Sequence, residues 1–239
     1  MPKADQKVRQ ASLSAFIEVE KPVTLNAKYL RTSLNAILFL AIFISIFFNP
    51  NPGFALGNGE ASLPSFTEFS KSVQNNEANV LRGVYVPDVL AFPVVQQPIS
   101  NAGYVSFNDG EITQFGMPAQ FGNVGLLAHN DLSGRFFSQL SVGQEVRLVY
   151  GNGKVEYFVI SEVLRYQALQ PTNPYSSFRN LSSNETLTAE QMFNKVYRGD
   201  RHVTFQTCIE ANGNLSWGRL FVIAVPRPHY SGFNHFDLH

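Results

Sequence analysis

Cys208 is the only cysteine among 239 residues. One thiol closes no intrachain disulfide and builds no cysteine-rich metal site, so a fold of this size must rest on an apolar core. The residues around it say what that core is made of. Val203-Thr204-Phe205-Gln206-Thr207-Cys208 is a β-branched and aromatic run that ends on the thiol, the signature of a strand. Eleven residues later, Arg219 opens another such run, and His129 ends a third, Val124-Gly125-Leu126-Leu127-Ala128. A thiol, an imidazole and a guanidinium, each at a strand end, point to nucleophilic catalysis with an electrostatic helper.

Other short runs repeat the strand pattern. Phe92–Gln96, Gly103–Phe107 and Lys154–Ile160 read as strands, and Glu145–Tyr150 joins Lys154–Ile160 through Gly151-Asn152-Gly153, a hairpin signal. Val203–Cys208 and Arg219–Val225 complete the set. Helical pattern is sparse: a short helix around Ser65–Gln74, a turn near Phe136–Leu140 and a helix over Thr188–Tyr197. Many short strands with Gly and Pro punctuation predict a mainly β, closed or nearly closed barrel. Apolar residues make up 44% of the chain and include 21 Phe, enough for a substantial core. Lys+Arg and Asp+Glu are both 18, and that zero balance lacks the basic excess of nucleic-acid binders. No His/Cys cluster has zinc spacing and no glycine-rich phosphate loop is present.

The N-terminal third is a different kind of sequence. Residues 1–33 are rich in Lys and Arg, and Leu34 to Phe48 then runs without a charge until Asn49-Pro50-Asn51-Pro52-Gly53 stops it. The run is read as a transmembrane signal anchor over 34–48, with 1–33 cytoplasmic and the remainder extracytoplasmic, because positive charge precedes it. At this length it also fits the apolar region of a cleaved signal peptide, with Ala55-Leu56-Gly57 supplying small residues for cleavage. Residues 49–83 read as a linker, and 227–239 as a loose C-terminal tail. In an exported protein, an odd thiol is a candidate reactive group.

Three segments together resemble the sortase family of cysteine transpeptidases. Thr207-Cys208 followed by Trp217-Gly218-Arg219-Leu220-Phe221-Val222 resembles its Thr-Cys motif and the arginine of its last barrel strand. Gly122-Asn123-Val124-Gly125-Leu126-Leu127-Ala128-His129-Asn130 resembles the strand that carries its histidine. Phe137 to Leu140 with Val142-Gly143-Gln144-Glu145-Val146 resembles the segment after that histidine. The likeness covers residues 84–226 and departs from the pattern where the usual Gly-His pair is Ala128-His129. It implies an eight-stranded β-barrel with few short helices. It also implies a catalytic set of Cys208, His129 and Arg219, with Ala128 and Thr207 beside it as substrate-binding positions; for Thr207, packing is an equal alternative. The long segment 165–200 corresponds to the family's groove-walling loop, or is a plain surface loop. No organic cofactor is implied. Some sortases use calcium, and the acidic residues here show no clear site for it. The implied partners are exported proteins with a C-terminal sorting motif and an amine acceptor in the cell envelope or on another protein subunit.

The residues also bear on which imidazole belongs with the thiol. His202 shares strand parity with Cys208, but six residues of strand span about 20 Å, so it does not reach the sulfur. His229, His235 and His239 fall in the tail. His129 is the remaining candidate. Asn130 and Asp131 come directly after it, and either can orient an imidazole, though neither is counted in the catalytic set. A cysteine hydrolase would use the same three residues, and a non-catalytic binding module on the same fold is the other alternative.

Overall fold

The computed structural model describes residues 63–173 and 175–227. The expected anchor at 34–48, the leader before it and most of the tail lie outside the described residues. Among the described residues, no helix is long and apolar enough to cross a membrane.

Ten strands form one sheet: β1 (Leu81–Val86), β2 (Leu90–Gln96), β3 (Ile112–Phe115), β4 (Val124–Leu127), β5 (Glu145–Tyr150), β6 (Val155–Ala168), β7 (Phe178–Asn180), β8 (Thr186–Leu187), β9 (Val203–Ala211) and β10 (Asn214–Pro226). The spatial order is β10-β9-β4-β3-β2-β1-β5-β6-β7-β8, and β10 also pairs with β6. That last pairing closes eight strands into a barrel, while β7 and β8 extend from one end of β6. Closure removes the exposed edges that an open sheet would offer to other chains. Most neighbours are antiparallel; β2–β3 and β4–β9 are parallel.

Alternation along the strands sorts side chains to the two faces. Val124, Leu126, Phe205, Leu220 and Val222 point into the barrel core. Leu127, Tyr166, Phe178 and Phe221 point outward, where they are covered by helix α2 (Ala189–Tyr197) through Met192, Phe193, Val196 and Tyr197. A second helix, α1 (Phe66–Val73), packs Phe69 against Tyr85 and Val149 on the opposite side. Both helices start in capping boxes, Ser65 with Glu68 and Thr188 with Gln191, which satisfy backbone donors that a helix start leaves open. A 3-10 helix at Ser133–Gln139 drops Phe137 into the barrel, its ring edge-on to Phe205 at 5.2 Å.

The hairpin at Gly151-Asn152-Gly153 is present, with Gly153 at φ 84° and its N–H donating to the Tyr150 carbonyl at 2.9 Å. Two expectations are corrected. Gly103–Phe107 is a loop, because its backbone is claimed by side chains: Asn101 Oδ1 accepts from the Gly103 N–H, and Thr113 Oγ1 from the Ser106 N–H. The strand in that region is β3, whose four residues are too few to show a period. The barrel also begins earlier than the linker reading allowed, since β1 starts at Leu81.

Phe205 is fully buried between the barrel wall and Phe137. Phe205→Ala should therefore lower the unfolding free energy by about 3–5 kcal/mol, measured by urea denaturation of the full chain. A loss near zero would mean the barrel interior is not packed as described.

Candidate active site

Two neighbouring strands bring the predicted thiol and guanidinium together, and the strand on the other side of β9 leads to the predicted imidazole. In the β9–β10 ladder, Cys208 is the direct partner of Arg219. In the parallel β4–β9 ladder, Leu127 pairs with Gln206, and the Ala128 N–H still donates to the Gln206 carbonyl at 3.3 Å. β4 ends at Leu127, and His129 follows two residues past this ladder. Parity puts Cys208 and Arg219 on the outer face: Cys208 goes with Gln206, and Arg219 with Phe221. The thiol and guanidinium thus sit side by side on β9 and β10.

The strand ends differ from the sequence reading. Cys208 and Arg219 lie within β9 and β10, not at their tips, and His129 sits two residues past β4. Arg219 does not open its strand because Asn214–Trp217 already belong to it.

Ala128 and Thr207 fall on the opposite parity. Ala128 belongs to the barrel core, and the buried Thr207 hydroxyl donates to the Ala128 carbonyl at 2.8 Å. Their side chains face away from the surface that carries Cys208. The Thr207 bond ties β9 to the end of β4, the packing role expected as one alternative for that residue. Gly134 completes this support. A Cβ there would sit 2.5 Å from the His129 carbonyl and 2.8 Å from that of Ala128, and would collide with the Thr207 hydroxyl, so only glycine lets the chain pass so close.

Each of the three groups is nearly inaccessible. Cys208 is 5% exposed, His129 7% and Arg219 1%. Arg219 Nη1 donates to the carbonyls of Ser216 at 3.0 Å and Gly218 at 2.8 Å. These bonds hold the planar fork along its own strand, geometry that a lysine would not reproduce. Burial pushes the His129 imidazole below its ordinary value, while the nearby Asp131 carboxylate and the Val105 carbonyl pull it partly back. The neutral ring is therefore the form present at neutral pH. Its Nε2 is buried and makes no hydrogen bond.

Of the neighbours of His129, the sequence reading named Asn130 and Asp131 but missed Phe107. Phe107 stacks on the imidazole, with ring centroids 4.6 Å apart and planes at 20°. Asn130 Nδ2 donates to the Leu215 carbonyl at 3.2 Å, linking the turn after His129 to the start of β10. Only the position of Asn130 next to the histidine signalled it; nothing in the sequence signalled Phe107. His202 has a structural place. Its Nδ1 lies 2.7 Å from the Asp200 carbonyl and its Nε2 2.9 Å from the Val196 carbonyl, at the end of α2. Among the described residues, no group of three or more His, Cys, Asp or Glu could hold a metal ion.

No protein-family model and no curated protein matches the chain. The solved structures similar to it include sortases A, C, D and E. Sortase C1 of GBS pilus island 1 is 13% identical with a TM-score of 0.44, over 84% of this chain and 87% of that one. Sortase A of Listeria monocytogenes is 12% identical with a TM-score of 0.40, over 62% and 88%. The sortase D5 transpeptidase of Clostridium perfringens is 15% identical with a TM-score of 0.40, over 69% and 90%.

The depressed imidazole makes a prediction about stability. The unfolded chain takes up a proton on His129 near its ordinary value of about 6.5, before the folded chain does. Stability should therefore fall as pH drops below that value toward the folded one. Carboxylates held low by their partners, such as Asp109 beside Arg135, act in the more acidic carboxylate range. His129→Gln should show a smaller fall between pH 7 and pH 5 than wild type in chemical denaturation. Equal falls in the two proteins would mean that burial does not disfavour the charged ring.

Proposed function

We propose that the chain is a membrane-anchored cysteine transpeptidase of sortase type. One juxtaposition supports the reading: the only thiol of the chain pairs across the β9–β10 ladder with a buried guanidinium, and a buried imidazole follows the end of β4, the strand on the other side of β9. Cys208 attacks a backbone carbonyl near the C-terminus of an exported protein. The neutral His129 takes the thiol proton as the carbon–sulfur bond forms. The tetrahedral oxyanion is stabilised by the fixed Arg219 guanidinium, which is worth most where water is excluded. As the carbon–nitrogen bond breaks, His129 returns the proton to the leaving amine. The Cys208 thioester is then attacked by an incoming amine, the carbon–sulfur bond breaks, and a new amide joins the substrate to envelope material or another subunit.

The uncharged run Leu34–Phe48 behind a basic leader supports membrane attachment, with the barrel on the extracytoplasmic side. The segment between β6 and β9, which carries β7, β8 and α2 against the outer face of the barrel, supports the role of a groove wall.

The test separates transfer from hydrolysis. The full chain is incubated with a library of peptides, with and without hydroxylamine as the amine, and products are read by mass. The reading predicts hydroxamate products at the expense of free acid, and no cleavage by Cys208→Ala. Arg219→Lys should lose about 10²–10³ in kcat. Free acid as the only product with amine present would make the protein a hydrolase. Cleavage retained in Cys208→Ala would remove the thiol from the chemistry.

A further inference from the structure

We propose that Phe107 is the positioning residue of His129, holding the plane of the imidazole and excluding water from one of its faces so that Nε2 stays aimed at the reacting centre. The inference rests on the transpeptidase reading for its consequence in catalysis, but its structural basis is independent. Phe107 is 47% exposed, and a single exposed aromatic is in itself ordinary. What distinguishes it is where its inner face lies and how its loop is held. One face of the ring covers the imidazole at 4.6 Å, while the imidazole's Nε2 is buried without a hydrogen bond. The bond to the Val105 carbonyl restrains the ring at one point, and the stacked Phe107 restrains its plane.

The loop that carries Phe107 is pinned on both sides. Before it, the Ser106 N–H donates to the buried Thr113 hydroxyl at 2.8 Å. After it, the Arg135 guanidinium grips Asp109 through two parallel bonds of 2.8 and 2.7 Å, and the Gly110 N–H donates to the Ser133 hydroxyl at 2.8 Å. Ser133 and Arg135 belong to the turn after His129, and the Gly134 N–H closes that turn on the His129 carbonyl at 2.8 Å. The aromatic ring and the imidazole are therefore anchored to the same short stretch of chain, so their relative placement is set locally. A catalytic group held this way keeps its geometry without reorganising at each turnover. The charged group that acts on the ring is Asp131 on its own turn, and the Asp109–Arg135 pair ties the loop to that turn.

The test reads His129 directly. The full chain in detergent, labelled with 13C-histidine, is titrated by NMR, and the His129 ring signal is assigned by its absence in His129→Gln. Phe107→Ala opens one face of the ring to water and should raise the His129 titration midpoint by at least about 0.3 pH unit, since burial is what depresses it. Phe107→Tyr keeps the stack and should leave the midpoint at the wild-type value. Asp109→Asn, which loosens the loop without touching the ring, should move the midpoint in the same direction as Phe107→Ala. In turnover, Phe107→Ala should lose about fivefold or more in kcat with KM within about twofold, and Tyr should restore it. A merely structural Phe107 would change the melting temperature without moving the midpoint. An unmoved midpoint in Phe107→Ala, or a Tyr variant that behaves like Ala, overturns the proposal. If wild-type protein transfers no acyl group, the functional reading falls, and the titration still decides whether Phe107 positions the ring.

Discussion

The parallel pairing of β4 with β9 is the constraint on which the rest of the structure depends. Those strands lie far apart in the chain, and parallel neighbours cannot be joined by a tight turn. Everything between them, including the β5–β6 hairpin of the barrel wall, the β7–β8 extension and α2, has to end so that β9 returns in register with β4. A slip of one residue would turn Cys208 into the barrel and bring Thr207 out, because strand side chains alternate. Register is held from both sides of the wall. Inside, Val203 and Phe205 are fully buried in the core, and the Thr207 hydroxyl bonds the Ala128 carbonyl. Outside, the Tyr197 hydroxyl donates to Gln206 at 2.5 Å, and the Thr204 hydroxyl to the Val196 carbonyl at 2.5 Å.

That double fixation explains how a buried cation is accommodated. Arg219 is among the largest fully buried side chains, and taking a guanidinium out of water is costly without compensating bonds. The carbonyls of Ser216 and Gly218 supply part of that compensation. Both belong to β10 itself, so the charge and its acceptors move together. The arrangement fits a site that spends folding stability on a preorganised positive charge beside a thiol.

Much of this was legible in the sequence because the informative residues lie on long, strongly apolar strands. Val124–Leu127, Glu145–Tyr150 and Val203–Cys208 are buried runs that announce themselves, and Gly151-Asn152-Gly153 marks its turn chemically. Elements whose signal depends on tertiary context were not legible. β1 is buried on both faces because α1 covers its outer side, so Leu-Arg-Gly-Val-Tyr-Val shows no alternation. β3 is too short to have a period. Gly103–Phe107 has strand-like composition, yet side chains claim its backbone, and tertiary bonds override local preference. Of the candidate site, the thiol, imidazole and guanidinium were readable as strand-associated functional groups. Their lateral order was not, because it comes from ladder pairings across the barrel. The inward parity of Ala128 and Thr207 comes from the same register. Phe107 belongs to a loop that folds back over His129, and no local pattern encodes such a return.

The central claim is that Cys208 is the nucleophile and that Arg219, its partner across the ladder, stabilises the attack on the carbonyl. The most direct measurement is the intact mass of the full chain, quenched in acid during incubation with candidate substrate peptides and mapped by proteolysis. The account predicts a hydroxylamine-labile acyl adduct on the peptide containing Cys208 in wild type, and a much smaller amount at the same time point in Arg219→Ala. An adduct on any other residue, or equal accumulation rates in wild type and Arg219→Ala, would contradict it.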